Sequence, residues 1–135
     1  MRRKSRGDED TEYYSVLRAL DAVDLADAAL LVIDATEGVS HQDQRLAERI
    51  DGAGTAIVLV LNKWDLIATE EREQIQIDVL DRMGFLGYAP TLKLSALTGK
   101  NLKSVLPALR EAALATAFQQ VHDCVANSDW TVAVS

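Results

Sequence analysis

The chain has 135 residues, 48% of them hydrophobic and 26% charged, with a formal net charge of −7. That length suits one domain with its own core, the composition is ordinary for a water-facing protein, and the acidic balance argues against a broad grip on a nucleic-acid backbone. The apolar runs Ala28–Ile33 and Ala56–Leu61 are far too short to span a bilayer, and a single cysteine, Cys124, excludes an internal disulfide and implies a reducing, cytoplasmic setting.

In chain order, the basic start MRRKSR precedes no long apolar segment, so it is not a secretory signal. Arg2, Arg3, Lys4 and Arg6 read as a solvated end, and Asp8, Glu9 and Asp10 as a solvated loop. From about Glu12 to Asp27, the residues Tyr13, Val16, Leu17, Leu20 and Val23 recur at helical spacing. Thr11 is the candidate cap of that helix. Ala28 to Ile33 has no polar member and predicts a strand covered on both faces. Asp34 to Gly38 closes it with loop chemistry.

Ser40 and Asp43 have the spacing of a capping box. They open a helix with Leu46, Ala47 and Ile50 inward, stopped by Gly52 and Gly54. Ala56 to Leu61 predicts a second buried strand. Thr69 to Met83 predicts a helix with Ile75, Val79, Leu80 and Met83 inward and Gly84 as terminator. Thr91 to Ser95 predicts a short third strand. Asn101 is expected to cap a last helix with Leu102, Val105, Leu106, Leu109 and Ala113 on one face, and Pro107 to cost it one backbone hydrogen bond.

Buried strands alternating with helices predict an α/β fold with three parallel strands. Ligands of such sheets sit beyond the carboxyl ends of the strands. Two polar loops fall there: Asn62-Lys63-Trp64-Asp65 after the second strand and Ser95-Ala96-Leu97 after the third. A carboxylate only accepts hydrogen bonds, and guanine offers neighbouring donors in N1–H and the 2-amino group. Asp65 can take both, at roughly 1.5–3 kcal/mol each. Adenine lacks that pair and would leave Asp65 unpaired. Asn62 can reach the ring N7 and tie the loops together. The stem of Lys63 can lie across the base. The N–H of Ala96 can meet O6, and Ser95 can hold its loop. The plainer reading makes Asn62 and Asp65 a turn and a cap. Trp64 reads as packing, and His41 and His122 as surface groups without a metal-ligand set. Asp34 and Glu37 are explained by a loop that ends a strand.

The two loops resemble the base-recognition elements of GTPase G domains, NKxD at Asn62–Asp65 and SAK/SAL at Ser95–Leu97. The stretches "YYSVLRALDAVDLADAALLVIDATEG", "QDQRLAERI", "LVLNKWDL" and "KLSALTGKNLKSVLPAL" resemble the second G domain of the bacterial double-GTPase Der family, also called EngA. The likeness covers about residues 1–115. It implies a partial P-loop NTPase G domain, GTP or GDP as ligand, and Asn62, Lys63, Asp65, Ser95, Ala96 and Leu97 as nucleotide-binding residues. It also implies a role in assembly of the large ribosomal subunit. Residues 116–135 do not resemble the family's KH-like continuation and are read as a helix extension and tail.

The sequence holds no G-x-x-x-x-G-K-[ST] pattern, and its Gly99-Lys100 pair is followed by Asn101. Asp51-Gly52-Ala53-Gly54 and Asp81-Arg82-Met83-Gly84 fit D-x-x-G, yet both fall at predicted helix ends instead of after a strand. By the resemblance, the phosphate loop, the magnesium-binding threonine and the DxxG element precede Met1, so no catalytic residue and no metal ligand is assigned within the chain. Magnesium belongs to the complete domain. Two functions from different classes follow. One is the guanine-recognition part of a Der-like GTPase. The other is a non-catalytic module on the ribosome or a partner, with weak or no nucleotide binding. A flavodoxin-like nucleotide fold is a third, weaker option. The first strand, without the strand that pairs beside it in the family, is expected to form an exposed apolar edge.

Overall fold

Six consecutive apolar residues, Ala56 to Leu61, form the centre of the sheet, each almost completely shielded from water. The computed structural model describes residues 17–19, 21–23 and 25–126, with the side chains at 124 and 125 outside the description. The expected first helix is represented by helical residues 17–19, 21–23 and 25. The expected cap Thr11 and the inward positions Tyr13, Val16 and Leu20 lie outside the described residues.

The labelled elements run β1 (Ala28–Asp34), α1 (His41–Gly52), β2 (Ala56–Asn62), α2 (Thr69–Arg82), β3 (Thr91–Lys93) and α3 (Val105–Ala126). Short 3₁₀ turns cover Trp64–Leu66, Gly84–Leu86 and Leu102–Ser104. The three strands pair in parallel in the order β1-β2-β3. Ala28 to Asp34 align one for one with Ala56 to Asn62, so both strands end level on polar residues.

Side chains alternate across the sheet and divide the core. Ile57, Leu59 and Leu61 pack with Leu31 and Ile33, with Ala47 and Ile50 of α1 and with Val79 of α2. Val58 and Val60 pack with Leu94 and with Val105, Ala108, Leu109 and Ala112. Helices therefore cover both faces of β2, which is why this strand tolerates no polar position. The capping box of α1 is present: Asp43 N–H donates to Ser40 Oγ at 3.0 Å, and Ser40 N–H donates to Asp43 Oδ2 at 2.9 Å. The helix closes at Gly52, and Gly54 follows with φ +68.

Several expectations are corrected. β1 is covered on one face only: Leu31 and Ile33 are buried, but Leu30 and Val32 are 39% and 50% exposed. The strand lies at the edge of the described sheet, and α3 packs over β2 beside it. Leu17 and Leu80 face outward, as does Leu106, which is 77% exposed. The third strand ends at Lys93 because the chain folds back through Ser95, whose N–H donates to Lys100 O at 3.1 Å. Asn101 does not cap α3. It takes φ 64 and donates from Nδ2 to Lys93 O at 2.9 Å, and a 3₁₀ turn intervenes before the helix. Pro107 then falls in the first α-helical turn, where backbone N–H groups lack intrahelical acceptors anyway.

Candidate nucleotide-binding rim

The carboxyl ends of the strands bring Asp34, the Asn62–Asp65 loop and the Ser95–Leu97 loop onto one rim. Asn62 stitches the rim in both directions. Its backbone oxygen accepts from Ala35 N–H at 3.0 Å, and its Oδ1 accepts from Ala96 N–H at 3.0 Å. Trp64 N–H adds a bond to Leu94 O at 3.2 Å. The loops after β2 and β3 are thus held by both backbone and side chain, and Asn62 ties them as its chemistry suggests.

Lys63 makes the turn. Its φ of 60 lies in the left-handed region, which costs an L residue with a Cβ of the order of 1 kcal/mol. The reversal lets Leu66 N–H return to Lys63 O at 3.0 Å and sends Ile67 back into the core. Trp64 packs against that core, with Arg72 and Lys93 at 5.6 and 5.4 Å from its ring centroid. Cations so placed pin the indole, so Trp64 is a packing residue and not a free ligand platform.

Asp65 is exposed at the head of the 3₁₀ turn and has no hydrogen-bond or ion-pair partner among the described residues. The plainer reading of this residue as a cap is therefore not realised. Ser95 is buried, and its Oγ accepts from Thr98 N–H at 3.3 Å. It holds the loop. Ala96 N–H, expected to be open toward a base, is engaged by Asn62 Oδ1. Leu97 is 95% exposed, and its N–H has no protein acceptor among the described residues.

Asp34 is the rim residue that sequence reasoning dismissed. Its Oδ2 accepts from Lys63 Nζ at 2.6 Å, and its Oδ1 accepts from Thr36 N–H at 2.9 Å and Thr36 Oγ1–H at 2.6 Å. Lys63 and then Thr36 hold the carboxyl below its ordinary range, and the carboxylate in turn raises the Lys63 ammonium. A signal was available: two apolar runs of equal length, each ending on a polar residue, predict neighbouring tips.

Elsewhere, His41 and His122 are exposed, and no cluster of three His, Cys, Asp or Glu side chains able to hold a metal exists among the described residues. A groove of about 480 Å³ lies away from the rim, beside Thr55, Ile57 and Pro90 near the amino ends of β2 and β3. There Tyr88 Oη–H donates to Asp51 Oδ1 at 2.9 Å, and burial, then Asp51, pushes the phenol up to about 12.

Residues 14–115 match the family described as the elongation factor Tu GTP binding domain. The chain belongs to this GTP-binding domain family. It is 48% identical over 108 residues to GTPase Der of Heliobacterium modesticaldum (strain ATCC 51547 / Ice1), covering 78% of this chain and 24% of that protein. GTPase Der of Synechococcus sp. (strain JA-2-3B'a(2-13)) is 40% identical over 129 residues, 93% of this chain and 26% of that protein. The chain thus spans about a quarter of the length of these curated relatives. The fold is also that of translation elongation factor SelB from Methanococcus maripaludis, solved in complex with the GTP analogue GPPNHP. That likeness has TM-score 0.60 and 23% identity, over 70% of this chain and 22% of that one. The probable GTP-binding protein EngB gives TM-score 0.58 and 15% identity, over 82% of this chain and 69% of that one. Both support the α/β P-loop NTPase architecture. No described helix is long and apolar enough to cross a membrane.

Proposed function

We propose that this chain supplies guanine recognition to a Der-like GTPase. Asn62, Lys63, Asp65, Ser95, Ala96 and Leu97 form the base site for GTP or GDP. The observation that carries this reading is the exposed carboxylate of Asp65, without a partner among the described residues, in the loop that the Asn62–Ala96 bridge holds. Two charge-assisted bonds from guanine N1–H and the 2-amino group satisfy it. The open N–H of Leu97 joins or replaces that of Ala96 toward O6. By the family likeness, the segment corresponds to the second G domain. The complete protein works in the cytoplasm in assembly of the large ribosomal subunit, and hydrolysis with magnesium belongs to the complete domain.

No phosphate-loop pattern occurs in the 135 residues. The base alone then supports an affinity near 1 mM, about −4 kcal/mol, and GTP turnover by this chain is expected to be undetectable. Asp65→Asn tests the site. An amide can donate to the 2-oxo group of xanthine, so preference moves from guanine toward xanthine nucleotides. Unchanged preference in a competition titration removes Asp65 from the pocket.

A second reading has an observation of its own. The outer face of α3 exposes Leu106, Leu114 and Phe118, as an interaction module on the ribosome or a partner would. Under it, Asp65→Asn changes nothing, whereas Phe118→Glu abolishes partner capture.

A further inference from the structure

We infer that Asp34 is a positioning residue of the base site, acting through Lys63. This rests on the guanine reading above. Asp34 is the fixed member of the pair. Its backbone lies in the β1–β2 ladder opposite Asn62, and its carbonyl accepts from Glu37 and Gly38 N–H at 3.1 and 3.0 Å. Its Oδ1 is held by both donors of Thr36, which leaves Oδ2 with one orientation and one ligand, Lys63 Nζ. Lys63 has no such restraint. It projects from a left-handed turn and is 49% exposed. A lysine stem of four methylenes on an exposed turn samples many rotamers unless its head is anchored.

Anchoring the head has two consequences. The methylene stem is drawn from the tip of β2 toward the tip of β1 and stays there as an apolar wall of the rim, ready to meet a face of the base. The ammonium is also kept occupied. A lysine two positions before Asp65 and without a partner would compete for the carboxylate that guanine needs, and Asp34 removes that competitor. Thr36 shares in the device, because without it the Asp34 carboxylate can rotate.

The test is a double-mutant cycle in the 135-residue chain, with GDP as probe and amide chemical shifts as readout. Asp34→Asn is expected to weaken GDP binding about three- to fivefold, the range of an exposed ion pair. Lys63→Met keeps an apolar stem and deletes the ammonium. In that background Asp34→Asn is expected to cost nothing further. Inosine diphosphate lacks the 2-amino group. Asp34→Asn should weaken it less than GDP if freed Lys63 competes for Asp65, and by the same factor if only the stem is lost; either result supports action through Lys63. An Asp34→Asn loss that persists undiminished beside Lys63→Met overturns the proposal, as does unchanged GDP affinity in Asp34→Asn. If Asp65→Asn keeps guanine over xanthine, the base site itself falls, and the role of Asp34 with it. That outcome is distinct from a functioning site that ignores Asp34.

Discussion

The Lys63–Asp34 pair joins the tips of two strands through side chains, and its strength depends on both being charged. Lys63 holds the Asp34 carboxyl below its ordinary 3.8, and Asp34 holds the Lys63 ammonium above its ordinary 10.5. A carboxyl depressed on folding adds stability above its unfolded value and loses it as pH falls through the folded one. An ammonium raised on folding contributes fully below 10.5 and loses its share as pH climbs through the folded value. The stability gap between wild type and Asp34→Asn is therefore expected to be flat across neutral pH and to close below 3.8. Urea midpoints at pH 7 and near pH 3 measure it. A gap of equal size at both would mean that the charge of Asp34 is not what stabilises the rim. Because both side chains are partly open to water, the gap should also narrow with added salt.

Helix α1 begins with reciprocal Ser40 and Asp43 bonds, and Ala47 and Ile50 lock its inner face into the core. Ser40→Ala is expected to cost about 1 kcal/mol and to speed amide exchange in the first turn while leaving β2 protected. Equal loss of protection in both would show that α1 does not open independently. This helix was legible in the sequence because a cap is local: four residues contain both partners. β2 was legible for another reason, since six apolar residues in a row have no exposed side to offer. Leu106 and Leu80 were misjudged because spacing says which positions share a face and not how far a neighbour extends over it. Asn101 was misjudged because its left-handed backbone and its bond to Lys93 O depend on a strand end eight residues earlier. At the rim, the two polar loops at Asn62–Asp65 and Ser95–Leu97 could be read from polar residues following apolar strands. The Asp34–Lys63 bond could not: equal apolar runs predict that the strand tips are neighbours, but the reversed turn at Lys63 that turns its ammonium to Asp34 has no signature in the sequence.

In the molecule as a whole, the buried centre and the exposed margins disagree. β2 is sealed on both faces, while Leu30 and Val32 of the edge strand stand half open and α3 carries Leu106, Leu114 and Phe118 on its outer side. Single exposed apolar residues are normal, but a helix that is apolar on its outer side as well as its inner one is usually buried. A strand with no partner beyond it among the described residues offers a template for pairing. Together these surfaces favour covering by another molecule over contact with water. The chain is therefore expected to associate as its concentration rises, or to melt over a broad range if kept dilute. Light scattering coupled to size-exclusion chromatography measures the first, and calorimetry the second. Val32→Lys charges the exposed side of the edge without touching Leu31 or Ile33, so it should return the chain toward monomer. If that substitution leaves the mass unchanged while Phe118→Glu lowers it, the outer face of α3 is the contact and the strand edge is not. A wild-type monomer at every concentration, with one sharp transition, would show that both surfaces are stable in water and that neither needs a partner.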